Sequence, residues 1–101
     1  RFSDPLATAS GRGNQLNISL KGNQGINHIM LHENIANGER VRKFVLEGKV
    51  SDGWQTIFEG SCIGHKFIHR FDEMEVSAVR LNILESKGEP QIQNFQVFKV
   101  N

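Results

Sequence analysis

The sequence contains no tyrosine, one cysteine, one tryptophan and no long apolar run among its 101 residues. With Cys62 alone no internal disulfide can form, and such sparse cysteine usage is commoner in cytosolic or bacterial proteins than in disulfide-stapled secreted ones. Zinc would need convergent cysteine or histidine pairs. The pairs on offer, His28/His32 and His65/His69, lie in strand-like sequence. There, residues four apart share a face but stand about 13 Å from each other, so neither pair chelates one ion by itself. No stretch approaches the ~20 apolar residues of a membrane-spanning helix, and no signal-peptide pattern opens the chain. Twelve basic side chains against eleven acidic ones leave a net charge of +1. Without a cationic field, nucleic acid is not an expected partner. A nucleophile elbow and a pair of carboxylates on a recognisable cleft are both missing, so this chain alone is expected to be non-catalytic.

What is present is alternation. Apolar residues at period two, separated by turn residues, predict one all-β domain over residues 1–101, an antiparallel sandwich or barrel. The expected strands are Gln15–Leu20, Asn27–Glu33, Val41–Val50, Trp54–Ser61, His65–Phe71, Ser77–Leu84 and Ile92–Val100. Connections are expected at Lys21–Gly25, Asn37-Gly38, Asp72-Glu73 and Ser86–Pro90, with a primed two-residue hairpin turn at Asp52-Gly53. No window has helical periodicity, so less than one turn of helix is expected anywhere. Alternation assigns Ile29, Leu31, Phe44, Leu46, Trp54, Phe58, Phe67, Phe71, Val79, Leu81 and Ile83 to the core.

Glu33 breaks the pattern. It continues the apolar Ile29/Leu31 face, where a carboxylate is costly unless it is partnered. Arg40, just past the Gly38 turn, is the expected partner in a buried ion pair that would pin the loop; the other reading has Glu33 and Arg40 meet a sugar hydroxyl. Trp54 is either a stacking platform for sugar or, as a ring opening a strand after a tight turn, a core plug. His32 is the histidine best placed to reach solvent at a loop mouth. His65, Lys66 and Arg70 follow Gly60 and Gly64 as a donor-rich cluster, which a plain solvated strand face would also present. Arg80 faces away from the core, to meet a polar ligand or an acid on a neighbouring strand.

These residues also form a pattern at long range. Leu31-His32-Glu33-Asn34-Ile35, continuing to Gly38-Glu39-Arg40-Val41, resembles the "L-x-E-x-I-x-x-G-Q-R-V" segment in the C-terminal β-sandwich of family-29 α-L-fucosidases. Phe44, Gly53-Trp54 and Gly60-x-x-Ile63-Gly64-His65-Lys66 resemble that domain's "F…G-x-W…G-x-x-I-G-x-K". Val79–Ile83 with Pro90-x-Ile92-x-x-Phe95 resembles its ending. The departures are Glu39 in place of Gln, His65 in place of Tyr, and no aromatic after Thr8. More broadly the chain is similar to discoidin-like, coagulation factor V/VIII C-type domains and to family 32 carbohydrate-binding modules.

The resemblance implies a jelly-roll, galactose-binding-like sandwich that serves as an accessory module of a bacterial α-L-fucosidase, secreted or periplasmic. The chain, which opens at Arg1 without Met, is then expected to be excised from that longer enzyme. Two partners are implied: fucose- or galactose-containing glycans, met by His32, Arg40, Trp54, His65, Lys66 and Arg70, and the catalytic domain of the parent enzyme. A purely structural domain packing on that catalytic barrel, or a module binding protein or lipid, are the alternatives. The resemblance also implies a structural calcium ion near Asp4 and Thr8, a site that Asn94 weakens because relatives carry an acid there.

Overall fold

The structure, a computed structural model, describes residues 4–36 and 38–100. Six strands follow one another with no helix among the described residues: β1 (Ala7–Arg12), β2 (Gln15–Glu33), β3 (Val41–Val50), β4 (Gly53–Gly60), β5 (Phe67–Ser86) and β6 (Gln91–Phe98). All pairings are antiparallel, in the order β1-β6-β2-β5-β3-β4. β2 and β5 are 19 and 20 residues long and pair along most of their length. They take their other neighbours at opposite ends. β3 adds to Ala78–Ser86 of β5, and β6 adds to His28–Glu33 of β2. Between these ends, Gln24–Ile26 and Met74–Val76 pair only with each other.

The β2–β5 ribbon therefore belongs to two layers. One layer holds β4, β3 and the adjoining halves of β5 and β2; the other holds β1, β6 and the remaining halves. The smallest dimension, 20 Å, suits two sheets packed about 10 Å apart. Ile18, Leu46, Val79 and Leu81 on one inner face oppose Ile29, Leu31, Phe95 and Val97 on the other, and all are buried. Each such side chain contributes roughly 1.5–3 kcal/mol by leaving water. Rings close one open side between the layers. Phe67 of β5 meets Phe44 of β3 edge-on at 5.5 Å and Phe58 of β4 at 5.4 Å.

Several expected connections are bends inside strands. Lys21–Gly25 does not link two strands: Leu20–Asn23 bulge opposite the single residue Ser77, and Gly22 takes a φ of 67°. Asp72-Glu73 likewise lies within β5. β1 is an additional strand, because Ala7 and Ala9 are too small to register as an apolar face. Asn37 of the expected Asn37-Gly38 turn lies outside the described residues. The β3–β4 hairpin forms with a different turn. Val50 pairs with Gly53, so Ser51 and Asp52 are the turn residues, and the positive φ (125°) falls on Gly53 rather than on Asp52. That is a glycine-bulge turn and not the primed type.

The bulge that matters most lies further along β4. Leu46 pairs with Phe58 but Glu47 with Thr56, leaving Ile57 as an extra residue. One extra residue reverses which side chains face inward. Phe58 points to the core, and Trp54, expected there, stands on the outer face with 38% of its surface exposed.

Gly60 supplies a test of the ring cluster. A Cβ there would come within 2.6 Å of Phe44 Cζ and 2.9 Å of Phe58 Cε2. Phe44 is fully buried and cannot swing away. Gly60→Ala should cost about 1–3 kcal/mol, the usual penalty for overpacking a core. An unchanged urea midpoint would mean that the rings repack freely.

Candidate functional site at the loop end

Three loops meet at the end of the sandwich where β3 begins: residues 34–36 with 38–40, 61–66 and 87–90. Glu33 holds two of them. Its carboxylate is almost wholly buried and accepts three backbone hydrogen bonds. Arg40 and Val41 donate to Oε2 at 2.7 and 3.0 Å, and Gly64 donates to Oε1 at 3.3 Å. Glu33 N–H donates in turn to Gly64 O at 3.1 Å. The third loop is tied in by Lys87 N–H donating to Arg40 O at 2.7 Å, and by Asn34 N–H donating to Gln91 O at 2.9 Å at its far end. A buried carboxylate is tolerable because N–H dipoles replace its water.

The expected Glu33–Arg40 ion pair is thus corrected. Arg40 reaches Glu33 through its backbone N–H, while its guanidinium turns to donate from Nη1 to Glu89 O at 2.9 Å. The residue is the expected one and the donor atom is different. Alternation can flag a carboxylate in the wrong place, but it cannot show which amides a loop will aim at it.

Around this clamp the structure gathers some of the expected residues and separates others. The His32 and His65 rings meet edge-on at 4.6 Å. Leu31 pairs with Phe67, so Lys66, just before β5 begins, falls beside His32. Arg40 sits on the adjoining loop. Arg70 is remote from them; it faces His28 across the β2–β5 ladder, about 13 Å along the strand from Lys66. Trp54 is on the outer face of the other layer, under the Arg80 guanidinium at 3.9 Å. Arg80 Nε donates to Glu47 Oε1 at 2.9 Å, Asn82 donates to the same oxygen, and Gln15 donates to Asn82 Oδ1 at 2.8 Å. Arg80 therefore meets an acid on a neighbouring strand. Asp4 and Thr8 are both exposed. Among the described residues no group of three His, Cys, Asp or Glu side chains could hold a metal ion.

Reading the residues alone missed Arg42 and Lys87. With Gly38, Glu39, Arg40 and Gly88 they line an open groove of about 750 Å³. Their meeting depends on Val41 pairing with Ser86, a register that no local motif encodes.

The chain is similar to known proteins in sequence and in fold. No family model matches the chain. A candidate α-L-fucosidase 1 of Oryza sativa subsp. japonica is 38% identical over 81 residues, covering 80% of this chain and 16% of its own length. The crystal structure of a candidate α-L-fucosidase from Bacteroides thetaiotaomicron VPI-5482 superposes with a TM-score of 0.96 at 42% identity, over 100% of this chain and 23% of that one. Its homologues are α-L-fucosidases, and its all-antiparallel sheet fits a C-terminal β-sandwich domain of the family-29 enzymes. It spans about a sixth to a quarter of the length of these two relatives. A family 32 carbohydrate-binding module from Streptococcus pneumoniae EndoD shares the fold, with a TM-score of 0.71 at 20% identity, over 85% of this chain and 69% of that one.

The clamp and the buried histidines each generate a prediction. Glu33→Ala leaves buried amides without an acceptor, at a cost on the order of 3–5 kcal/mol. Arg40→Ala keeps the backbone donor and should cost less than about 1 kcal/mol. Equal losses in urea unfolding would restore a side-chain ion pair. The second concerns acid. Burial lowers the pKa of His28, with the Arg70 charge adding to it, and burial also lowers that of His69, stacked among Phe58, Phe67 and Phe71. The unfolded chain then binds more protons than the folded one, so stability is lost as pH falls below about 6.5. His69→Phe should reduce the drop in urea midpoint between pH 7.5 and 5, and an undiminished drop would exclude His69 as a source.

Proposed function

We propose that this chain is a non-catalytic accessory domain, discoidin-like in its jelly-roll sandwich, that holds glycan at its loop end for an α-L-fucosidase. The observation that carries the reading is the Glu33 clamp. Three amides fix two loops from below, so the side chains above them are presented on a rigid rim. Binding sites favour such loops because a stable scaffold holds adaptable polar groups in place. Arg40, His32, His65 and Lys66 supply donors there for the hydroxyls of a fucose- or galactose-containing glycan. Glu33 itself is unsuited to acid–base chemistry, because its oxygens are already engaged by three N–H groups.

Trp54 stands on the outer face of one layer, away from this rim, whose rings are the imidazoles of His32 and His65. Sugar is therefore held without a tryptophan platform, and the dissociation constant is expected in the millimolar range, about 4 kcal/mol. Amide shifts near His32 and His65 on titration with fucose, galactose or N-acetyllactosamine test this. A silent spectrum would favour the second reading, in which the domain packs against a catalytic barrel. In that reading the larger chain would cover the exposed side chains of Leu6, Ile68 and Leu84.

A further inference from the structure

The groove beside the clamp carries more positive charge than hydroxyl recognition requires. Arg40, Arg42 and Lys87 bring three cations to it, against the single acid Glu39. The Glu39 carboxylate leans toward the neighbouring loop, its Oε2 standing 3.5 Å from where a Cβ on Gly64 would be. Both guanidinium groups are oriented. Arg40 Nη1 donates to Glu89 O at 2.9 Å and Arg42 Nη1 to Glu39 O at 3.0 Å. Each uses a neutral carbonyl and not a carboxylate, so its charge is not cancelled and the rest of its fork stays available. Gly38 and Gly88, with φ of 93° and 85°, leave the groove walls without side chains. The hydrogen bond from Lys87 N–H to Arg40 O fixes the separation of the two walls.

We infer that this groove binds the oxyanion of an acidic saccharide, a sulfate ester or a carboxylate. The inference rests on the glycan-binding reading and names the class of glycan. Planar guanidinium forks match such oxyanions in a way that hydroxyls do not reward. An extended polyanion is a poor fit, since the net charge is +1 and the basic residues elsewhere are mixed with acids.

Nuclear magnetic resonance titration of the 101-residue chain with galactose, galactose 6-sulfate, glucuronic acid and inorganic sulfate separates the outcomes. Galactose 6-sulfate and glucuronic acid should bind about tenfold tighter than galactose at low salt, the equivalent of one added charge-assisted contact. The advantage should fade by about 0.5 M salt, where screening is strong. In Arg42→Gln/Lys87→Gln, both exposed positions, the advantage should disappear while the urea midpoint stays put. Retention of the advantage in that variant overturns the inference, as does equal affinity for galactose and its sulfate. Inorganic sulfate binding as tightly as galactose 6-sulfate would mean an adventitious ion only. If galactose binds without any acid preference, this inference falls and the glycan-binding reading stands. If no sugar shifts any amide, both fall.

Discussion

The loop end depends on one buried carboxylate. Glu33 ends β2, and Arg40 and Val41 open β3, in the opposite layer; Gly64 lies on the loop that leads into β5. One side chain thus ties the layers together where their connecting loops would otherwise be free. The clamp works because all three donors are backbone amides. Side-chain donors would carry rotamer entropy into the bond, whereas amides at the start of a strand are already fixed. The energetic counterpart is vulnerability, since removing the acceptor orphans several donors together.

The second constraint is the β2–β5 ribbon. Two strands of about 20 residues serve both layers, so the chain needs no separate connection at that end of the sandwich. A ribbon can turn from one sheet to the other only where pairing is relaxed. Leu20–Asn23 provide that freedom by facing a single residue, Ser77. The polar, glycine-containing composition of this segment suits a sharp bulge as well as it suits a loop.

That ambiguity explains what was legible in the sequence. β3 was readable to the residue, because Val41–Val50 alternates from Phe44 to Gly48 and is bounded by Gly38 and Asp52-Gly53. The inward set of Ile29, Leu31, Leu46, Val79 and Leu81 followed from the same period. The bulge at Ile57 was not readable, and it alone moved Trp54 from the expected core to the surface. The Glu33 anomaly was visible as a charge on an apolar face. Arg40 was nameable as a partner, but its donor atom and the other two amides were not, because every residue but proline carries an amide and sequence does not mark which ones converge. Arg42 and Lys87 were hidden for a different reason: they are far apart in the chain, and only the β3–β5 register brings their loops together.

The division of labour at the loop end also constrains its chemistry. Amides are the strongest preorganised anion donors a loop can offer, and here three of them are committed to Glu33. What remains for a ligand are side chains: guanidinium, ammonium and imidazole, at a rim that Trp54 does not reach. Recognition built from exposed charges is weak and sensitive to salt. Weak recognition is nonetheless useful when a module is covalently joined to something larger, because tethering replaces a bimolecular encounter by a local one. In the relatives the matching stretch is a minor part of a longer chain. A site of this kind would suit the proposed role of keeping a tethered partner near glycan, and the rigidity supplied by Glu33 would let weak contacts act in concert.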